Sequence, residues 1–598
     1  MGLYKTLDQD LTEVDVIIAG GGTAGCIVAG RLAEADPSLS ILVIEGGKDN
    51  YADPTVVTPA MFPIHLRSDS KTALFYKAIK SNHLANREVI VPSGGILGGG
   101  SSINFMIWNM PGWTADELLP FFRKLETYSG QSNAKDHGFD GPIQVSDGTL
   151  RLKNIEDEFI AAANEIGYPT IPDLNVLDTN NGVALWKRFV SPDGKRSDTA
   201  HAYLHPRLRD GRHPNLHVLV ESQVVRVLFD ENKRACGVEY RQNPIFQAPD
   251  ASNPPPKNAV RARKLVVVSC GACGSPSVLE RSGVGSKTVL DKAGVKVVEE
   301  LPGVGHDYQD HHLMMWPYKS SFKPHETLDE LFQGRQTFQA AFENKDPRLG
   351  WNIIDVAAKV RPTDEEVIAL GPEFRKAWDR DFKDKPNRPL MLMALLNAHV
   401  GDPAAVEPGP YATMGTFSAY PYSRGHIHIT GPEVGDTLDF NAGFLSDKGD
   451  VDIKKHVWAY KKTRELIRRM SVYRGEVAAF HPPFPANSKA ALSTGDANFN
   501  GADKIQDLDY SSEDDAILEA FLRESINTTW HSLGTNKMAP REDFGVVDAQ
   551  LSVYGVSALK VVDLSIAPSN VAANTNNTAL AIGEKGAAII IQKLGLSK

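Results

Sequence analysis

Gly20, Gly22 and Gly25 stand at the spacing G-x-G-x-x-G, directly after the apolar run 14–19 and at the head of a small-residue stretch, 24–32. Glycines at these points let the backbone approach a pyrophosphate. The N–H groups and dipole of the helix that follows stabilise its charge. A second apolar run, 40–44, ends at Glu45, where a carboxylate accepts hydrogen bonds from the ribose hydroxyls of a dinucleotide. Glycines alone are a weak signal, but strand, glycines, helix, strand and acid in sequence specify a dinucleotide site. Glu45 opposes a 2′-phosphate by charge, so NAD and FAD both stay open.

Further polar loops follow. Residues 96–104 read Ile-Leu-Gly-Gly-Gly-Ser-Ser-Ile-Asn, a loop that combines close backbone approach with many donors. Residues 271–285 follow the apolar run 265–269 and predict another strand, turn and helix. Near the C-terminus, the block 528–535 contains His531, the apolar run 559–563 ends at Asp563, and 574–578 reads Asn-Thr-Asn-Asn-Thr before a helical stretch. Cys270 and Cys273 form a C-x-x-C, but no second pair stands at zinc spacing, so packing is the expectation there.

The elements that must hold these loops come from an ordinary globular composition. The chain has 598 residues, 42% hydrophobic and 23% charged, enough to bury large cores and too apolar for wholesale disorder. A net charge of −10 leaves no basic footprint for nucleic acid. Four cysteines in so long a chain form no disulfide framework and fit a reducing compartment. No run reaches the roughly 18 apolar residues of a membrane span. The N-terminus lacks the apolar stretch of a secretory signal, its Met1-Gly2 start matches the myristoylation template only loosely, and 596–598 read Leu-Ser-Lys, not the peroxisomal order. The expectation is an intracellular protein, cytoplasmic rather than peroxisomal. Strands are expected at 143–146, 413–420 and 426–429, and amphipathic helices at 450–470 and 512–524.

Taken together, the ordered motifs resemble the glucose/methanol/choline (GMC) family of FAD-dependent oxidoreductases, and most closely its fungal alcohol oxidase branch. The run 98–104, the stretch 271–285, Leu301-Pro302-Gly303-Val304-Gly305 followed by Gln309-Asp310-His311, Ser423-Arg424-Gly425 and the C-terminal His and Asn blocks carry it. The fold class it implies is α/β plus α+β: a discontinuous Rossmann-like FAD-binding domain (1–140, 215–315 and 530–598) interleaved with an antiparallel-sheet substrate-binding domain (141–214 and 316–529). The implied cofactor is FAD. Gly20, Gly22, Thr23, Ala24, Gly25 and Glu45 would hold its ADP half, with Val224 near the adenine. Gly99, Gly100, Ser101, Ser102, Asn104, Asp563 and Thr575 would lie along the flavin half.

The resemblance also assigns chemistry. His531 would take the proton of an alcohol and Asn574 would hydrogen-bond the same oxygen; an amide is no base, so His531 is the sole strong base of the pair. Its pKa is expected near the ordinary histidine value of about 6.5. Phe105, Trp108 and Trp530 would wall the pocket. His311 and His312 are expected to serve packing and loop hydrogen bonding rather than a metal. The implied reaction is oxidation of a primary alcohol to an aldehyde with oxygen as acceptor and hydrogen peroxide as product. A dehydrogenase on a bulkier alcohol with another acceptor is the alternative, and a flavin-binding protein without turnover a more remote one. The chain is shorter than the alcohol oxidases after Trp108 and between 485 and 507, which favours bulkier substrates. An oligomer is compatible with all of this.

Overall fold

The computed structural model describes residues 2–8, 10–107, 115–130, 135–175, 181–247, 256–494 and 505–596. The strand Glu13–Ala19 is almost wholly buried and runs parallel to Ile41–Ile44 on one side and to the second half of Lys257–Val268 on the other. Such continuous apolar runs suit a parallel sheet covered on both faces. The eight-stranded sheet reads Gly2–Tyr4, Leu216–Leu219, Ile41–Ile44, Glu13–Ala19, Lys257–Val268, Ala235–Gln242 and Ser222–Phe229, with Leu559–Val561 also paired to Lys257–Val268.

Lys257–Val268 changes role along its length. Its first half pairs antiparallel with Ala235–Gln242; after an irregularity between Ala262 and Leu265, its second half enters the parallel core between Glu13–Ala19 and Leu559–Val561. The helices Thr23–Ala35 and Asn576–Leu594 pack on each other over this sheet, so the first and last helices meet. Gly583 allows that approach: a Cβ there would lie 3.0 Å from the Ile27 side chain.

The second sheet has seven strands, all antiparallel, in the order Tyr473–Glu476, His312–Ser320, Tyr411–Ser418, Met391–Leu396, Val356–Val360 and Gly182–Leu185, with Asn527–Thr528 added to His312–Ser320. The helix Val451–Arg468 packs on Tyr411–Ser418. Two expected strands stand outside this sheet. Ile143–Val145 pairs with Glu126–Tyr128, and His426–Ile429 pairs with Leu438–Asn441, each as a separate two-stranded unit. Periodicity finds a strand but not its partner, because pairing is a long-range choice. The expected helices are present as Val451–Arg468 and Ser512–Ser525. Among the described residues no helix is long and apolar enough to cross a membrane.

Candidate active site

A cavity of about 360 Å³ runs from the C-terminal ends of the parallel strands to one face of the second sheet. Open parallel sheets bind ligands at that end of their strands. Gly20, Gly22, Thr23, Ala24, Glu45, Gly99, Gly100, Asn104, Phe105, Val224, Trp530, His531, Asp563, Asn574 and Thr575 all line it. These residues come from segments far apart in the chain, and the fold collects them.

At one end the backbone makes the surface. Gly20 has φ +101°, and a Cβ there would lie 2.3 Å from the Ser269 carbonyl oxygen; a Cβ on Gly99, at φ +55°, would lie 2.8 Å from Gly22 Cα. Only glycine fits such contacts. The helix Thr23–Ala35 starts at Gly22 with no side-chain cap, which leaves its first N–H groups for a ligand anion. The Glu45 carboxylate accepts the N–H of Gly21 at 2.8 Å and of Gly47 at 2.7 Å, which fixes it at the end of Ile41–Ile44 with lone pairs remaining. Burial pushes its pKa up to about 7 against those amides. Thr23 ties the two glycine loops together, since its hydroxyl donates to the Gly98 carbonyl and accepts the Ser101 N–H, both at 3.2 Å.

Three expected cofactor residues do not line the cavity. Gly25 packs against the preceding turn, where a Cβ would lie 2.2 Å from the Gly20 carbonyl oxygen. Ser101 Oγ turns inward to donate to the Gly98 carbonyl at 2.7 Å, and Ser102 Oγ donates to the Leu97 carbonyl at 2.9 Å. Their N–H groups are also taken, by Thr23 and by the Gly99 carbonyl. The hydroxyls of both serines are thus engaged within their own loop. Trp108 lies outside the described residues. Gln223, Asn243 and Arg281 also line the cavity; Gln223 lies on a strand, where alternation does not tell a cavity face from a packed one, and Arg281 ends the helix Gly271–Arg281 within the stretch 271–285.

At the other end the second sheet supplies an apolar wall. Leu313 stands opposite Phe417 and Phe417 opposite Leu392; Met315 stands opposite Gly415 and Gly415 opposite Ala394. Residues two apart share a sheet face, and Leu313, Met315, Ala394, Leu396, Gly415 and Phe417 all reach the cavity. Phe105 and Trp530 face it with ring centroids 5.1 Å apart. Trp530 adopts φ +61°, a strained value for a bulky residue, immediately before His531.

His531 is buried and meets two partners. Its Nδ1 lies 2.8 Å from His311 Nδ1, and its Nε2 lies 3.3 Å from Asn574 Nδ2. Among the described residues Asn574 Oδ1 is buried without a hydrogen-bond partner, so the amide keeps hydrogen-bonding capacity for a ligand. The pKa of His531 lies well below the ordinary value: burial is the main cause and the neighbouring His311 adds to it. The expectation of an ordinary histidine pKa is thereby corrected, because the sequence does not show how completely the ring is enclosed.

Parallel-sheet topology, an uncapped helix N-terminus between glycine loops, and a histidine–amide pair at the apolar end define a dinucleotide-dependent oxidoreductase. The profiles of the GMC oxidoreductase family match residues 14–313 and 421–583, and the chain belongs to that family. Its cofactor is FAD, and the cavity fits it: glycines where a pyrophosphate needs close approach, a carboxylate for the ribose, and unsatisfied polar atoms beside His531. The alcohol oxidase of Candida boidinii is 38% identical, covering 98% of this chain and 96% of that protein; the alcohol oxidase of Pichia angusta is 39% identical over the same shares. An FAD-dependent oxidoreductase from Chaetomium thermophilum shares the fold at a TM-score of 0.77 and 24% identity, covering 98% of this chain and all of that one.

Proposed function

We propose that this protein oxidises primary alcohols bearing an apolar substituent to aldehydes, with oxygen as the electron acceptor and hydrogen peroxide as the second product. The observation that carries this is the pair formed by His531 Nε2 and Asn574 Nδ2, 3.3 Å apart, at the apolar end of the dinucleotide cavity. When a substrate hydroxyl displaces this direct contact, it donates to Nε2 and accepts from Nδ2, so His531 takes the hydroxyl proton while Asn574 holds the oxygen. Bound FAD supplies the acceptor for the hydride from the same carbon and the route of two electrons to oxygen. The similarity to the two alcohol oxidases, which extends over nearly the whole chain, supports this reaction.

The wall selects the substituent. Leu313, Met315, Leu396, Phe417, Phe105 and Trp530 present no charge to it, so a longer apolar chain is favoured over methanol. Each buried methylene contributes about 0.8 kcal/mol, or about fourfold in kcat/KM, until the space is filled. The test is a homologous series of primary alcohols, followed by anaerobic flavin bleaching, oxygen uptake and peroxide formation. A rise with chain length supports the reading. Selectivity for methanol contradicts the substrate class, and bleaching that only a dye or quinone reverses contradicts oxygen as acceptor. A reducing, cytoplasmic setting belongs to the same proposal and is supported by the free thiols Cys26, Cys236, Cys270 and Cys273; imaging of a tagged full-length chain tests it.

A further inference from the structure

We infer that His311 is a positioning residue that fixes the tautomer of His531, leaving Nε2 of His531 bare and aimed at the substrate hydroxyl. The inference rests on the proposed role of His531 as proton acceptor and deepens it.

The argument starts from two backbone carbonyls. His311 Nε2 lies 3.0 Å from the carbonyl oxygen of Ala419 and 2.8 Å from that of Val571. A carbonyl only accepts, so Nε2 of His311 carries a hydrogen. In the neutral ring its Nδ1 is then a lone pair. That lone pair is 2.8 Å from His531 Nδ1, which must donate to it. With the hydrogen of His531 placed on Nδ1, its Nε2 has no hydrogen, and the amide of Asn574 donates to it from 3.3 Å. The order is carbonyl, His311, His531, Asn574, and each member leaves the next one arrangement.

No carboxylate takes this place. Asp310, next to His311 in sequence, spends its oxygens on the His531 backbone N–H at 2.9 Å and on the hydroxyls of Thr528 and Tyr308. The other charged or titratable groups facing His311 are His312 and, from the helix Val451–Arg468, Lys455. Burial holds His311 down to about 3, so it stays the neutral acceptor that the argument needs. When His531 becomes an imidazolium, its Nδ1–H···Nδ1 bond persists and the ring does not turn. A histidine that merely filled space would not need both ring nitrogens engaged in this order.

Nitrogen-15 NMR of the histidine-labelled holoenzyme at neutral pH reads the tautomer directly, with the His531 signals identified by their loss in His531→Ala. Protonated Nδ1 and bare Nε2 are expected; a protonated Nε2 overturns the inference. Anaerobic stopped-flow reduction supplies the second arm. His311→Leu should retain FAD and bind substrate with little change yet reduce its flavin about 10²-fold more slowly, the scale of a misplaced acid–base group. His311→Asn, which keeps an acceptor near the Nδ1 position, should recover most of the loss. Wild-type reduction by the leucine variant, or an asparagine variant no faster than it, overturns the inference. If the leucine protein does not hold FAD, the NMR result decides. A wild type that no alcohol reduces would refute the proposed reaction, and the tautomer would still be read.

Discussion

The carboxylate of Asp310 holds the backbone of His531: its Oδ1 accepts the His531 N–H at 2.9 Å, while Oδ2 receives the Thr528 hydroxyl from the start of the same loop. One acid thus pins both ends of the turn in which Trp530 takes its left-handed conformation. Asp310 is fully enclosed, and burial raises its pKa to about 7 despite these bonds.

That shift has a sign. A carboxyl whose folded pKa is raised contributes stability that is complete below the unfolded value of 3.8 and is lost as pH rises through about 7. Asp310→Asn mimics the protonated acid at every pH. Its melting temperature relative to wild type should therefore rise between about pH 5 and about pH 8. Thermal melts of both proteins across that range check this, and a constant difference would show that Asp310 ionises freely.

His531→Ala should keep its FAD and lose flavin reduction by about 10²- to 10⁴-fold, the contribution of a positioned base. The neutral ring is the active form, so the wild-type rate falls as pH drops through its pKa. Burial places that acid limb below 6.5, and reduction should be flat above it. Asn574→Ala should lose less, because it removes orientation and a hydrogen bond but leaves the proton acceptor. Anaerobic stopped-flow traces over pH measure all of this. An acid limb above 6.5 would mean that His531 is better solvated than its surroundings indicate.

Glu45→Gln removes the charge and one of the two oxygen acceptors that meet the Gly21 and Gly47 N–H groups. The loss of a charged hydrogen bond to the ribose should weaken FAD binding about ten- to a hundredfold. Titration of the apoprotein with FAD, followed by protein fluorescence, gives the ratio. Equal affinity would place the ribose away from Glu45.

Gly415 sits in the middle of the apolar wall, where an added Cβ would lie 3.2 Å from Leu396 Cδ1 and 3.3 Å from Met315 Sδ. Both are flexible ends that can yield, and valine suits a strand. Gly415→Val should lower kcat/KM for the longest accepted alcohols about tenfold or more relative to ethanol, because it fills space the chain needs. An unchanged ratio in the substrate series would put the binding direction elsewhere.

The dinucleotide half of the site is legible in the sequence because its causes are local. Strand, glycines, helix and Glu45 lie within residues 13–45, and the positive φ of Gly20 with its contact to Ser269 explains why that position has no side chain. His531, Asn574, Phe105 and Trp530 are legible only through resemblance, since one histidine among 17 carries no mark of its role. Orientation comes from tertiary packing. Ser101 and Ser102 turn into their own loop, although their spacing suits a ligand as well as a turn. The strand Ile143–Val145 pairs outside the large sheet. His311 meets His531 across 220 residues of chain, with two carbonyls behind it that no motif announces. Local sequence fixes dihedral angles and periodicity; which ring nitrogen carries a proton depends on atoms brought together by packing, and that information exists only once the sheets have closed on each other.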